Sequence, residues 1–157
     1  MSAIDELAAE IDADDKVLVL GGVDVGKTTL IRELETRVDG EVIDADVGQS
    51  TIGPPTLISR GSYATGQMED GYFVGDVSPR GNFLQVLTGI ERMVSAARRP
   101  CLIDSDGYID GDAARAYKSE MINLIEPDKL ILLQRADELA YYPFRGSMKS
   151  GCSCSRR

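Results

Sequence analysis

The chain has 157 residues and a formal net charge of −9, with 43% hydrophobic and 27% charged residues. This length suits one hydrophobic core and hardly two, and the composition is that of an ordinary soluble globular domain. The negative charge argues against a protein that holds nucleic acid through overall basicity, although it leaves room for a local basic groove.

Two absences in the sequence bear on location and chemistry. No apolar run approaches the length needed to span a bilayer, and the first residues lack the basic-then-apolar order of a signal peptide. We therefore expect no membrane association and a cytoplasmic location.

The three cysteines then indicate a buried thiol at Cys101 and a tail feature at Cys152 and Cys154. The chain has no histidine, so proton transfer must use a carboxylate or another group.

The first predicted elements are an amphipathic helix and a buried strand. Apolar side chains recur at helical spacing at Ile4, Leu7, Ala8 and Ile11, which predicts a helix packed on the edge of a sheet. Residues 16–20 form a nearly continuous apolar run, as expected of a parallel strand that is covered on both faces. The sheet is therefore predicted to begin with this run.

A glycine-rich loop follows the first predicted strand directly. Its sequence, Gly21-Gly22-Val23-Asp24-Val25-Gly26-Lys27-Thr28-Thr29, fits the pattern G-x-x-x-x-G-K-[ST] of phosphate-binding loops and leads into a helical pattern. In such loops the backbone amides and the helix N-terminus attract phosphate oxygens. Lys27 supplies a positive charge, and Thr28 supplies a hydroxyl ligand for Mg²⁺. We therefore predict a nucleotide site made of Gly22, Val23, Asp24, Val25, Gly26, Lys27, Thr28 and Thr29.

Polar residues cluster after the second predicted strand, which spans residues 41–46. Asp44 and Asp46 end this strand, and glycine, Gln49 and hydroxyl side chains follow. Such residues suit a metal and phosphate site at the carboxyl edge of a parallel sheet. The alternative is a polar surface turn whose side chains bond their own backbone. Beside a phosphate-binding loop, we favour the metal and phosphate site.

The middle of the chain is predicted to contain a loop, a strand and a helix. Residues 56–70 are rich in glycine, serine and threonine and show little periodicity, which predicts a loop or an irregular edge strand. Residues 72–75 are predicted to form a third strand that ends at the same edge of the sheet. The helical pattern over residues 81–98 has a predicted core face of Leu84, Leu87, Ile90, Val94 and Ala97.

The fourth predicted strand, residues 100–104, ends in an aspartate. Many phosphate-loop enzymes place their Mg²⁺-linked carboxylate at this position. Asp104 therefore competes with Asp46 for that role.

The last predicted elements are a helix over residues 113–125 and a strand over residues 129–133. The helix has an inward face of Ala114, Tyr117, Met121 and Ile125. The alternation of strands and helices predicts a single α/β domain of the P-loop NTPase class, with a mainly parallel sheet flanked by helices.

Four blocks of this sequence together resemble the polynucleotide 5′-hydroxyl kinase family, whose eukaryotic members act in messenger, transfer and ribosomal RNA processing. The similarity runs from about Val17 to about Leu139. A phosphate-binding loop alone is shared by very many NTPases, whereas the four blocks in this order are specific. They are residues 24–28, residues 46–55, residues 73–82 and residues 103–111.

The resemblance implies transfer of the γ-phosphoryl group of ATP to the 5′-hydroxyl of RNA or DNA, with GTP as the alternative nucleotide. It implies that Lys27 and the loop amides hold the phosphates and that Thr28 and Asp46 arrange Mg²⁺. It also favours Asp46 over Asp104 as the group that activates the hydroxyl. RNA-processing partner proteins are a further expectation.

The resemblance also assigns a substrate side to the site. Gln49, Ser78 and Arg80 would lie near the acceptor end or the γ-phosphate, and Tyr108 would stack on the terminal base in place of a family tryptophan. Arg80 has a direct physical case because a guanidinium beside a glycine turn suits a phosphate. The alternatives are a solvated surface arginine and a tyrosine that only packs under the next helix.

The resemblance fades past Tyr141. Kinases of this family continue with a strand and an arginine-bearing lid, whereas residues 146–157 of this chain are predicted to be a flexible tail behind a kinase-like domain of residues 1–145. Arg145, Arg156 and Arg157 are candidates for the phosphate-binding arginine, and nothing in their setting selects one.

Two rival functions stay open. A catalytically weak nucleotide-binding scaffold of an RNA-processing complex would fit a chain without a lid. A GTPase-like switch protein would share the phosphate-binding loop, but the guanine-reading sequence Asn-Lys-x-Asp is not present.

Overall fold

The described part of the chain forms a sheet of seven strands with four helices. The computed structural model describes residues 1–136, 138–139 and 147–150. In chain order the elements are α1 (Ala3–Ala9), β1 (Lys16–Gly21), α2 (Lys27–Val38), β2 (Glu41–Ala45), β3 (Leu57–Gly61), β4 (Met68–Phe73), α3 (Phe83–Ala96), β5 (Cys101–Ser105), α4 (Asp112–Ile125), β6 (Lys129–Leu133) and β7 (Ser147–Ser150).

The sheet is mainly parallel, which confirms the predicted fold class. Its strand order is β4-β3-β2-β5-β1-β6-β7. The strand β1 lies between β5 and β6 and is parallel to both, and β2 is parallel to β5. Among the described strands, β3 alone runs opposite to the common direction of the others, and it pairs antiparallel with both β2 and β4. Because β3 reverses the direction once and β4 reverses it again, β4 ends at the same edge as β2, as predicted.

The register brings three functional segments to one edge of the sheet. Asp104 of β5 is level with Val19 of β1 on one side and with Asp44 of β2 on the other. The loop after β1, the loop after β2 and the end of β5 therefore meet where ligands of open α/β sheets bind.

Two hydrophobic layers cover the sheet because alternate strand residues point to opposite faces. Leu18 and Leu20 of β1 belong to the layer that contains the buried faces of α3 and α4. Val17 and Val19 belong to the opposite layer, which contains Ile31 and Leu34 of α2 and the partly buried apolar face of α1. Both faces of β1 are thus buried, as its continuous apolar run predicted.

The buried face of α3 differs from the prediction. Ile90 and Val94 are buried as expected, but Leu84 is 77% exposed. The reason is Gly89, where an added Cβ would lie 2.7 Å from Tyr72 of β4. The helix lies close against the sheet at this glycine, and its buried face is centred away from Leu84. The buried residues of α3 are Val86, Gly89, Ile90, Met93 and Val94.

This correction predicts different stability effects for two apolar truncations in α3. Ile90→Val removes a methyl group from a fully buried site and should lower the free energy of unfolding by about 0.5–1.5 kcal/mol. Leu84→Ala removes exposed surface and should stay within about 0.5 kcal/mol of the unsubstituted chain. Urea denaturation measures both. A larger loss for Leu84→Ala would mean that this side chain is packed.

The segment predicted as a loop or irregular edge strand contains β3 and much of β4, paired as an antiparallel hairpin. Most of β4 is exposed at the edge of the sheet, so it lacks the apolar alternation that marks a strand in sequence.

The end of the chain also differs in part from the prediction. Residues 147–150 belong to the segment predicted as a flexible tail, yet they form β7, which pairs in parallel with β6. The remaining tail residues, with Cys152 and Cys154, lie outside the described residues, as does Arg145. The domain boundary at residue 145 stays a prediction. Cys101 is a buried free thiol, as predicted.

Candidate functional site

The loop between β1 and α2 forms an uncapped helix start. Asp24 and Gly26 have φ values of 58° and 100°, a left-handed conformation that glycine adopts without strain. Gly26 is the N-cap of α2, and no side chain caps the first turn. A Cβ added at Gly26 would meet nothing within 4 Å. The first amides of α2 therefore lie beside open space, which is the arrangement of an anion cradle.

Lys27 is folded onto this loop. The side chain is 8% exposed, and Nζ donates a hydrogen bond of 2.7 Å to the carbonyl oxygen of Gly22. Burial lowers the pKa of Lys27, whereas the charges of Asp104 and Asp46 act in the opposite direction. The ammonium group thus sits at the loop among carboxylates that favour its charged form.

Asp104 is bound directly to the phosphate-binding loop. Its Oδ2 accepts hydrogen bonds from the Thr28 hydroxyl at 2.9 Å and from the Tyr63 hydroxyl at 2.8 Å. The side chain of Asp104 is buried, and burial raises its pKa against the lowering effect of these two donors. The structure therefore brings together Thr28 and Asp104, two of the residues predicted to ligate a metal ion.

The two aspartates after β2 have different surroundings. Asp44 is 1% exposed, and its Oδ2 accepts hydrogen bonds from the amides of Thr51 at 2.6 Å and Ile52 at 3.0 Å. Burial raises the pKa of Asp44 to about 6. Asp44 therefore holds the loop that follows it.

Asp46 keeps one carboxylate oxygen available. It is half-buried, and its Oδ1 accepts hydrogen bonds from the amides of Gly48 at 3.1 Å and Gln49 at 3.0 Å. Within the described part of the chain, no hydrogen bond goes to its Oδ2. The Gln49 side chain is exposed beside it. The predicted surface turn is thus present in the backbone, and it leaves half of the Asp46 carboxylate unpaired.

The oxygen ligands at this edge suit Mg²⁺. In the described residues, no group of three or more acidic, cysteine or histidine side chains is arranged to hold a metal ion by itself. Mg²⁺ usually takes only one or two carboxylates and completes its shell with waters and substrate phosphates. The hydroxyl of Thr28 and the carboxylates of Asp46 and Asp104 match that donor set.

The loop between β4 and α3 carries the predicted substrate residues to the same place. Asp76 accepts hydrogen bonds from the amides of Val77 and Ser78 and from the Asn82 side chain, and Ser78 Oγ accepts one from the Arg80 amide. A Cβ at Gly48 would lie 2.7 Å from the carbonyl oxygen of Val77. Ser78 and Arg80 thus lie on an ordered loop that touches the Asp46 loop.

Arg80 and Tyr108 are in contact. The Arg80 guanidinium carbon lies 5.7 Å from the centroid of the Tyr108 ring. Arg80 is exposed and Tyr108 is half-buried. A Cβ at Gly107 would be 2.7 Å from the Val23 side chain of the phosphate-binding loop. The structure therefore joins the two predicted substrate residues and places them next to the phosphate-binding loop.

Sequence reasoning missed several residues of this region. Tyr63 lies in the turn between β3 and β4, in the segment predicted as a loop or an irregular edge strand, so no pattern linked it to Asp104. Lys118 is fully buried and bound to Asp106 at 2.9 Å. A signal existed for Lys118, because it falls on the inward face of α4 between Tyr117 and Met121. Arg135, which follows β6, donates from Nη2 to the carbonyl oxygen of Asp24 in the phosphate-binding loop at 2.7 Å.

Curated relatives of this chain carry one shared name. A polyribonucleotide 5′-hydroxyl-kinase of Pyrococcus horikoshii is 34% identical over 138 residues, which covers 78% of this chain and 38% of that protein. The protein of the same name from Methanocaldococcus jannaschii is 33% identical over 139 residues, which covers 79% of this chain and 38% of that protein. The chain thus spans about 38% of the length of these relatives.

A solved structure has a similar fold. A chain of the wild-type Clp1p–Pcf11p complex matches with a TM-score of 0.61 and 16% identity, over 83% of this chain and 39% of that chain. At this identity the likeness concerns the fold alone. The family model described as the P-loop of the mRNA cleavage and polyadenylation factor CLP1 matches residues 21–151. The match covers most of the sequence and confirms the resemblance found in its motifs: this chain belongs to the CLP1 P-loop family.

Proposed function

We propose that this chain is the phosphate-binding part of a polynucleotide kinase that transfers the γ-phosphoryl group of ATP to the 5′-hydroxyl of RNA or DNA in RNA processing. The observation that carries the proposal is the meeting of two half-sites at one sheet edge. The uncapped loop, bound through Thr28 to Asp104, is the donor half. The contact between Arg80 and Tyr108 beside the same loop is the acceptor half.

In this proposal the donor half holds Mg-ATP. The loop amides from Gly22 to Thr29 and the Lys27 ammonium bind phosphate oxygens. Thr28, Asp46 and Asp104 would hold Mg²⁺, which when bound neutralises charge on the phosphates. Lys27 would exchange its bond to the Gly22 carbonyl for a phosphate oxygen, which is a stronger charge-assisted partner.

The acceptor half orients the hydroxyl. Asp46 is the proposed group that orients or deprotonates the 5′-hydroxyl, because its Oδ2 accepts no hydrogen bond within the described residues and the chain has no histidine. Gln49, Ser78 and Arg80 are proposed to contact the acceptor end or the transferred group. Tyr108 is proposed to stack on the terminal base, an interaction that does not read base identity.

A nucleotide-binding scaffold is the rival function with specific support. One structural neighbour is a chain of the Clp1p–Pcf11p complex, and a partner protein in RNA processing is proposed for this chain as well.

The described helices include none that is long and apolar enough to cross a bilayer. The cytoplasmic location stays a prediction.

One experiment separates the candidate functions. The chain is incubated with γ-labelled ATP, Mg²⁺ and a single-stranded oligonucleotide that carries a 5′-hydroxyl, and the same oligonucleotide with a 5′-phosphate serves as control. Labelling of only the 5′-hydroxyl oligonucleotide supports the kinase. Tight Mg-ATP binding without labelling favours the scaffold. Hydrolysis of GTP that does not depend on the oligonucleotide favours a switch protein.

Tyr63 offers a test of the donor half that does not need turnover. Tyr63→Phe removes only the hydroxyl that donates to Asp104. The Mg²⁺ concentration needed for half-maximal nucleotide binding should rise about tenfold, since the hydrogen-bond partners of metal-ligating groups orient them. Isothermal calorimetry at several Mg²⁺ concentrations measures the effect. Tyr72→Phe, the same change on β4, should leave it unaltered. Equal Mg²⁺ dependence in both variants would assign the Tyr63 hydroxyl to packing alone.

A further inference from the structure

Five side chains form a continuous column that runs from the interior to the acceptor loop. The Lys118 Nζ lies 4.9 Å from the Tyr117 ring centroid, and the Tyr117 and Phe83 rings stack at 4.5 Å with planes 15° apart. Phe83 and Tyr108 stack at 6.1 Å and 19°, and the Arg80 guanidinium carbon lies 5.7 Å from the Tyr108 ring. We call these five residues the aromatic column.

The inner end of the column is fixed by one buried carboxylate. Asp106 is 3% exposed. Its Oδ1 accepts hydrogen bonds from the Lys118 Nζ at 2.9 Å and the Tyr108 amide at 2.9 Å, and its Oδ2 accepts one from the Tyr117 hydroxyl at 2.7 Å. Three members of the column are therefore bound to the same group. A buried charge with this many partners is held in one orientation, because any displacement leaves a polar atom unpaired.

The fixed end also touches the phosphate-binding loop. A Cβ at Gly107 would lie 2.9 Å from the Val23 amide nitrogen, and a Cβ at Gly22 would lie 3.2 Å from the Ile109 side chain. The segment that carries Asp106 is thus closely packed against the loop. The column links Arg80, through Phe83 and Tyr108, to this closely packed segment.

We infer that the aromatic column is a positioning device for the terminal nucleotide of a single-stranded 5′ end, with Phe83 as its central link. The inference rests on the proposed function, and it adds four residues to the acceptor half that do not themselves contact substrate: Phe83, Asp106, Tyr117 and Lys118. Phe83 comes from α3, whereas the tyrosines on either side come from α4 and the loop before it. It joins the loop of Arg80 to the segment of Tyr108.

The physical basis is preorganisation. Aromatic pairs in offset-stacked or edge contact add stability beyond burial and restrict the rings to one arrangement. A binding residue whose rotamer is already locked loses less entropy when it contacts a ligand. Removing the central ring should leave the residues present but no longer held at a fixed distance from the phosphate-binding loop.

The first test measures binding. Phe83→Leu should raise the dissociation constant of a 3′-labelled single-stranded oligonucleotide with a 5′-hydroxyl about 5–10-fold, which corresponds to the energy of one of the two ring contacts that Phe83 makes, the contact with Tyr108. The dissociation constant of Mg-ATP should change by less than about twofold, because Phe83 is not among the residues proposed to bind the nucleotide phosphates. Phe83→Tyr, which keeps the ring, should bind the oligonucleotide like the unsubstituted chain. Leu87→Val, a comparable loss of apolar volume one turn further along α3, is the packing control.

The second test needs no substrate. The chain has no tryptophan, so Tyr108→Trp introduces a single tryptophan at the outer part of the column, whose emission can be excited separately from that of the tyrosines. Adding Phe83→Leu should increase collisional quenching of this fluorophore by acrylamide about twofold, because side chains released from packing sample more solvent-exposed rotamers. Adding Leu87→Val should not.

The outcomes are distinguishable. Unchanged quenching and unchanged oligonucleotide binding in Phe83→Leu would overturn the inference, and so would equal loss of Mg-ATP and oligonucleotide binding, which would indicate a general structural effect. An unsubstituted chain that binds Mg-ATP but no oligonucleotide would overturn the proposed acceptor half, whatever the quenching experiment shows about the column.

Discussion

Replacing Lys27 with methionine is expected to lower the rate of phosphoryl transfer about 10²–10³-fold, the cost of removing one preorganised electrostatic contact from a developing charge. Methionine keeps the length of the apolar stem and removes only the ammonium group. Nζ now bonds to the Gly22 carbonyl, so it is already placed on the loop where the phosphates are proposed to bind. The initial rate of oligonucleotide labelling and the affinity for Mg-ATP measure the effect.

Lys16 provides a matched control for this substitution. Its Nζ also donates to a backbone carbonyl, that of Ile125 at 2.6 Å, but it stands at the start of β1, and the phosphate-binding loop follows the other end. Lys16→Met should therefore leave Mg-ATP affinity within about twofold, with stability changed by no more than one hydrogen bond, about 1 kcal/mol. If Lys27→Met binds Mg-ATP as well as Lys16→Met does, the loop is not the phosphate site.

The sequence was most informative where the chain is buried on both faces. The strands β1 and β6 begin where the apolar runs begin, because a parallel strand that is covered on both faces has apolar residues at nearly every position. The β3–β4 hairpin was not predicted, because its exposed residues leave no alternation to detect. The face of α3 was misplaced at Leu84, because Gly89 draws the helix towards Tyr72. That close approach depends on a partner strand that periodicity within α3 does not describe.

Some residues of the candidate site could likewise be predicted from local sequence, and others could not. The phosphate-binding loop is contiguous in sequence, so its pattern identified Lys27 and Thr28 directly. The contact of Tyr63 with Asp104 joins residues 41 positions apart, and no local spacing encodes it. The buried pair of Lys118 and Asp106 was hidden for a different reason, because a lysine on a helix is normally solvated. Its fully buried position emerges only once α4 is docked on the sheet.

The comparison of Asp46→Asn with Asp104→Asn decides which carboxylate activates the hydroxyl. Asp46→Asn should lower turnover about 10²–10⁴-fold at every Mg²⁺ concentration, the range expected for loss of a general base. The amide can still accept the bonds from Gly48 and Gln49, so the loop should keep its shape. Labelling rates across a Mg²⁺ titration provide the measurement.

Asp104→Asn should behave differently, because Asp104 bonds to Thr28 and Tyr63 rather than facing the acceptor loop. We expect the Mg²⁺ concentration for half-maximal rate to rise about 10–100-fold, with turnover largely restored when Mg²⁺ saturates. Burial raises the pKa of Asp104, so folding disfavours the charged carboxylate at every pH above the ordinary carboxyl pKa. The neutral amide avoids this cost, and Asp104→Asn should therefore preserve the melting temperature. Restored turnover in Asp46→Asn at high Mg²⁺, with a persistent loss in Asp104→Asn, would exchange the two roles and make the end of β5 the catalytic position.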